Sequence, residues 1–230
     1  MKLFRKCLMI LSLAVMTLSM SACSNKGGSD QDSKNEGSKE ETKTAMVAND
    51  RYVEPLNPTQ AQIIAYNQLS AALENQDLEE EAKQVAVSFA YDFFTLSNKK
   101  SQSDMGGLEF IPTAYIGSFE EFATAYYYGN YPTIVNEYNQ ESLPEVSDVK
   151  VTSMSVAQDL TYNEQPVEGY LVELNVTYAE TKVPVDKLKT KMTVTVIRMY
   201  DYDYDSKINY KKTYTQEGSP EEVYRVLAVA

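Results

Sequence analysis

At Pro144 the spacing of apolar residues changes, and this change limits the fold more than any other feature of the chain. Before it, apolar residues recur every three or four positions, the period of a helix with one buried face. After it they alternate, the period of a strand with one buried face. A run of helices followed by a run of strands predicts an α+β fold. The helices then pack on one face of an antiparallel sheet of about four strands.

The helical part divides at clear signals. In Asn57-Pro58-Thr59-Gln60, Asn57 reads as the cap, Pro58 suits the first helical position and Gln60 can reach back. Ile63, Tyr66, Leu69 and Leu73 follow on one face, giving an N-terminal helix within residues 51–76. A second helix begins near Asp77. Leu78, Ala82, Val85, Phe89, Phe93 and Leu96 form one stripe, and Val87, Tyr91 and Phe94 lie opposite. A helix apolar on both sides is covered on both sides, so it belongs between the sheet and another helix. Asn98 to Gly107 reads as a loop. Ser118-Phe119-Glu120-Glu121 has the capping-box pattern, with Phe119, Phe122, Ala123 and Tyr126 as the buried face that follows. Gly129-Asn130 ends that helix and Pro132 starts a short one. Strands are predicted over 146–156, 167–178, 190–204 and 223–229. Tyr170, Val172, Leu174, Val176 and Tyr178 share one face of the second. Met192, Val194, Val196, Arg198 and Tyr200 share one face of the third.

The start of the chain reads as an export signal. Lys2, Arg5 and Lys6 precede a short apolar stretch from Cys7 to Leu18, too short for a permanent span of a bilayer roughly 30 Å thick. Met20-Ser21-Ala22-Cys23 resembles the bacterial lipobox, with Met20 where Leu is usual. That resemblance implies a signal of residues 1–22 and a diacylglyceryl group on Cys23. The ordinary alternative is a signal cut near Ala22 with Cys23 incidental. Residues 23–50 are rich in Gly, Ser, Asn, Asp, Glu and Lys and hold no aromatic residue, the composition of a disordered tether. As a flexible coil of about 25 residues it spans roughly 25–30 Å. The lipid would attach the chain to the extracytoplasmic face of a membrane. Losing the signal removes three cations and no acids, so an anionic headgroup layer repels what remains.

Composition closes off several chemistries. The 230 residues carry 21 Lys+Arg against 33 Asp+Glu, a formal charge of −12, which opposes nucleic-acid binding. With no His there is no Ser-His-Asp triad, Cys-His pair or His-bearing metal site. Two Cys cannot build a Cys₄ cluster, and neither remains as a free thiol once the signal leaves and Cys23 is acylated. No cofactor is implied.

From residue 77 onward, the order of elements resembles the NTF2-like (cystatin-like) superfamily, in which helices fill the concavity of a curved antiparallel sheet. The closer likeness is to the envelope domains of bacterial conjugation proteins. The segment from Ala82 to Asn98, with Tyr91-Asp92-Phe93-Phe94, is similar to the first long helix of such domains. Gly106-Gly107-Leu108 resembles the turn after it in uncharacterised Gram-positive lipoproteins. The resemblance implies a domain over 77–230, while a protein or small-ligand binding role at the envelope is expected from the lipobox, the tether, the absence of His and the lack of a catalytic constellation. It also implies that any enzyme of this type would use a polar residue in the mouth of the sheet.

Three groups of residues could carry function. Asp92 lies about 60° from the centre of the second helix's stripe, where a half-buried carboxylate can serve as a base. Tyr91 and Tyr115 are possible donors to it. Its ordinary alternative is an edge carboxylate bonded to solvent, a Tyr hydroxyl or a backbone amide. Asp201, Asp203 and Asp205 alternate like the opening of a calcium loop, but Ser206 and Lys212 stand where that pattern needs Gly and Glu. The alternative is a solvated strand end. Tyr126, Tyr127 and Tyr128, with Tyr131 close behind, form an aromatic cluster. At most two successive helix positions share a face, so at least one ring is exposed or at a boundary. Such rings suit a binding surface or, more ordinarily, a core and its rim. The expectation is a lipid-anchored, non-enzymatic binding module with an envelope protein partner. A pocket enzyme using Asp92 and a solute-binding lipoprotein are the alternatives.

Overall fold

The computed structural model describes residues 44–202 and 220–230. Four α-helices precede the main strands: α1 (Gln60–Glu74), α2 (Leu78–Phe94), α3 (Ile116–Tyr126) and α4 (Tyr131–Tyr138). Four strands form an antiparallel sheet: β1 (Val146–Val156), β4 (Gly169–Tyr178), β5 (Lys191–Asp201) and β6 (Glu221–Val229). Their order is β1-β4-β5-β6. A two-stranded ribbon, β2 (Thr161–Tyr162) and β3 (Gln165–Pro166), sits between β1 and β4 in sequence. The fold is α+β, as the change of period requires. No helix among the described residues is long and apolar enough to cross a membrane.

Helix α2 is the centre of the molecule. Asp77 caps it by accepting from Glu80 N at 3.0 Å, and Glu79, Glu80 and Glu81 favour the positive end of the helix. From Glu81 to Phe94 every residue except Lys83 is buried. One side packs against α1 and the other crosses all four strands of the sheet. The two apolar faces read in the sequence are both covered for this reason.

Helix α1 begins two residues later than a cap at Asn57 would place it. Thr59 is the cap: its hydroxyl accepts from Gln62 N, and the Gln62 side chain accepts from Thr59 N at 2.8 Å. Asn57 instead takes a left-handed turn, φ 51°. Residues 44–50, assigned above to the tether, lie along α1. Asn67 and Ser70 bind the backbone of Ala45 and Val47 there, so the chain's order begins before residue 51.

Helix α3 also differs from its expected start. It begins at Ile116, and the Ser118 hydroxyl donates to Tyr115 O at 3.0 Å without capping. Ala123 is buried as expected, but Phe122 is 57% exposed and Tyr126 is 73% exposed. The helix is too far round for that edge of its apolar face to reach the core.

The sheet is interrupted by bulges at Ser147 and Thr152 in β1 and at Leu227 in β6, where register slips by one residue. Bulges bend a strand and increase its twist. The alternating residues of β4 and β5 face the helices: Val172, Leu174, Val176, Met192, Val194 and Val196 are all buried. The third strand stops at Asp201, short of the expected Tyr204.

The loop after α2 turns at Gly106-Gly107. A Cβ on Gly106 would lie 2.3 Å from Asp92 O, and Gly107 has φ +79°. Both positions therefore need glycine, one for close approach and one for backbone conformation. Gly106→Ala is expected to lower stability by about 1–3 kcal/mol, since overpacking against rigid backbone cannot relax. A thermal melt that matches the parent would contradict this contact.

Candidate functional site

Two places carry unusual chemistry. One is a buried polar cluster around Asp92, and the other is an apolar groove beside β6.

Asp92 sits on the last turn of α2 and is 5% exposed. Its Oδ1 accepts from Gln62 Nε2 at 2.7 Å and from Lys99 Nζ at 3.0 Å. Its Oδ2 accepts from Gly107 N at 2.7 Å. Lys99 is as deeply buried as its partner. The carboxylate thus joins α1, α2 and both ends of the loop that follows. Glu109 stands beside it and titrates well above the usual carboxylate range. Burial is the main cause, the Asp92 charge adds to it, and Lys99 opposes it. Ser88 Oγ and Glu109 Oε1 have no partner among the described residues. They line a cavity of about 10 Å³ with Gln62, Tyr66, Tyr91 and Asp92, room for about one water.

That geometry corrects the expectation for Asp92. At the border of the stripe it is buried rather than half-exposed, and it does not lie in the mouth of a pocket. Both oxygens are engaged, and no cavity beside it admits a substrate. The expected donors are elsewhere too. The Tyr91 hydroxyl accepts from Val149 N at 3.2 Å, and Tyr115 donates to Asn163 Oδ1 at 3.0 Å. Sequence reasoning missed Lys99 and Glu109. Glu109, set between Leu108 and Phe110, was the available signal.

The tyrosines separate. Tyr128 is fully buried, donates to Phe93 O at 2.8 Å and accepts from Gly106 N at 3.1 Å. Tyr131 is buried and donates to Lys99 O at 2.6 Å. Tyr127 is half-buried, donates to Phe94 O at 3.2 Å and stacks on Phe93 with centroids 5.4 Å apart. These three hold the end of α2 and the loop after it, and so cannot form the expected binding surface. Tyr126 alone of the four is exposed, against Phe122 with centroids 4.7 Å apart.

Asp201 is no solvated strand end. It is buried and accepts from Arg225 Nε at 3.0 Å, Thr113 N at 2.9 Å and Thr113 Oγ1 at 2.5 Å. Its oxygens are therefore committed, which removes the first ligand of the calcium reading. Asp203 and Asp205 lie outside the described residues. Among the described residues no three His, Cys, Asp or Glu converge to hold a metal ion. Cys23 also lies outside them.

The groove was not foreseen. It has a volume of about 380 Å³ and runs between α3 with the turn before it and the end of β6. Ile111, Pro112, Tyr115, Phe119 and Phe122 form one wall; Val226 to Val229 form the other. No family model, curated protein or solved structure matches the chain.

Two predictions follow from the buried cluster. Asp92→Asn keeps the volume but leaves the Lys99 ammonium without a charge partner. The expected loss is about 3–5 kcal/mol, with part of it recovered in Asp92→Asn/Lys99→Met. Denaturant unfolding measures both, and an unaffected single variant contradicts the ion pair's role. For Glu109 the sign follows from its raised pKa. The folded chain holds a proton that the unfolded chain releases near pH 4, so stability falls as pH rises above that value. Glu109→Gln is expected to match the parent at about pH 4, below the unfolded carboxyl's pKa, and to melt higher than it at pH 8. Parallel curves for parent and variant would show that Glu109 does not titrate this way.

Proposed function

We propose that this chain is a lipid-anchored, non-enzymatic binding module at the extracytoplasmic face of a bacterial cell envelope, built on an NTF2-like scaffold. The observation that carries the binding role is the apolar groove between α3 and β6. It is large enough for several side chains, and its walls leave Tyr115, Phe122 and Val229 in contact with solvent. Exposed aromatic residues beside a concave apolar surface are the composition of an interface rather than of an inert surface. The anchor rests on the Met20-Ser21-Ala22-Cys23 segment and the polar tether after it. The reading against an enzyme rests on the closure of Asp92, whose neighbouring cavity of about 10 Å³ excludes a substrate. A catalytic base must lie within hydrogen-bond reach of the proton it takes.

Crosslinking in the native envelope, followed by mass spectrometry, tests the role. A reproducible protein partner is expected, and its yield should fall at least several-fold in Phe122→Ser. That substitution removes an exposed ring and spares the core. Cys23→Ser should release the chain from the membrane fraction and abolish labelling by an alkyne fatty acid. A partner yield indifferent to Phe122 would move the binding site away from the groove.

A further inference from the structure

We infer that the groove takes an extended, apolar peptide segment with basic flanks, which adds as a fifth strand to the free edge of β6. This rests on the binding-module reading and names its ligand.

The first observation is the lining itself. Val226, Leu227, Ala228 and Val229 are consecutive and all line the groove. The bulge at Leu227 interrupts the strand's alternation, and all four residues border the groove where it runs along the strand's edge. β6 is an edge strand of the sheet.

The second observation concerns the backbone of that edge. Its first half is closed by side chains. Tyr224 N donates to the Tyr52 hydroxyl at 2.9 Å, and Arg51 donates to Glu222 O at 3.3 Å. The backbone groups of Glu222 and Tyr224 therefore point away from β5. Antiparallel alternation turns Val226 outward as well. Beyond the bulge at Leu227, Ala230 exchanges both bonds with Thr193, which turns Val229 outward. Among the described residues nothing pairs with this second half. A row of backbone donors and acceptors beside an apolar trough is the arrangement that binds a peptide in extended form. Main-chain bonds then supply affinity, and pockets read alternate side chains.

The third observation is charge. Glu120 and Glu121 sit on the groove's own helix, α3, and none of the residues lining the groove is Lys or Arg. Arg225, at the near end of the edge, is held by Asp201. This surface repels a second copy of the same edge and repels anionic lipid. It favours a cationic partner, through both encounter rate and discrimination.

The test uses the full-length protein in detergent and three synthetic ten-residue probes. The first alternates Val and Thr between Lys pairs. The second replaces the Lys pairs with Glu pairs. The third keeps Lys but is N-methylated at alternate residues, which removes main-chain donors. Fluorescence anisotropy at low salt is expected to show binding of the first probe, at least tenfold weaker binding of the second and none of the third. Phe122→Ser should weaken the first probe at least fivefold, and amide exchange at Val226 and Val229 should slow in the complex. Equal binding of the Glu probe, or binding that survives N-methylation, overturns the inference. So does a Phe122-dependent dimer or vesicle attachment in place of peptide binding. If no probe binds while the envelope crosslink still depends on Phe122, the peptide inference falls and the binding-module reading stands. If both are lost, both fall.

Discussion

A carboxylate placed on a helix that is covered on every side must be given partners from other elements, and Asp92 imposes that requirement here. Leaving the charge unpaired in an apolar interior costs many kcal/mol, so α2 cannot pack between sheet and helix until the partners arrive. Gln62 reaches it from α1, Lys99 from the loop, and Gly107 N from the end of that loop. The glycine pair exists to let the backbone come this close. The consequence is long-range: the position of α1, the path of residues 95–107 and the start of the next segment all depend on one side chain. Charge–charge pairing at such a site adds little net stability over an apolar packing of the same volume, but it is costly to break. It therefore specifies one arrangement rather than adding strength.

The tyrosines extend the same logic to the backbone. Eighteen Tyr in a chain with no Trp or His leave phenol as the only aromatic donor. Tyr66, Tyr127, Tyr128 and Tyr131 each bury a ring and end on a main-chain carbonyl. Those carbonyls belong to the end of α2 and to the irregular segments that flank the helices, where helix bonding has stopped and acceptors would otherwise go unmet. Tyr52 does this for the sheet. Its hydroxyl accepts from Tyr224 N and donates to Glu81 Oε1 at 2.8 Å, tying the edge of β6 to α2. Burial raises the Tyr52 pKa well above its ordinary value, so it stays neutral and able to donate.

Where this satisfaction of polar groups stops, a surface begins. Side chains meet Glu222 O and both backbone groups of Tyr224 in the first half of β6, and among the described residues none meets the outward groups of Val226 and Val229, beside the apolar side of α3. Exposed edge strands are generally shortened, charged or covered. Here the edge is flanked instead by aromatic rings and by acids on the neighbouring helix.

The class of fold was legible because period reports burial directly. The alternation in 169–178 and 191–201 and the double-sided pattern of 78–94 could be produced by few other architectures. The caps at Asp77 and the stop near Gly129 are local events, decided within a few residues. The role of Asp92 was not legible, because its 60° offset from the stripe is the same whether the neighbouring element is solvent or Lys99. Tyr127, Tyr128 and Tyr131 were grouped by adjacency in sequence, yet helix geometry and the turn at 128–130 send them to different partners. Phe122 and Tyr126 continue an apolar face that stays open to solvent. The sequence by itself determined the order and type of the elements, through hydrophobic period, caps and turns. Only the tertiary structure decided which carboxylate is sealed, which ring is free and which strand edge is left open. Those outcomes depend on contacts that no hydrophobic period or cap encodes, from Lys99 with Asp92, 7 positions apart, through Gln62 with Asp92 at 30, to Tyr52 with Tyr224 at 172.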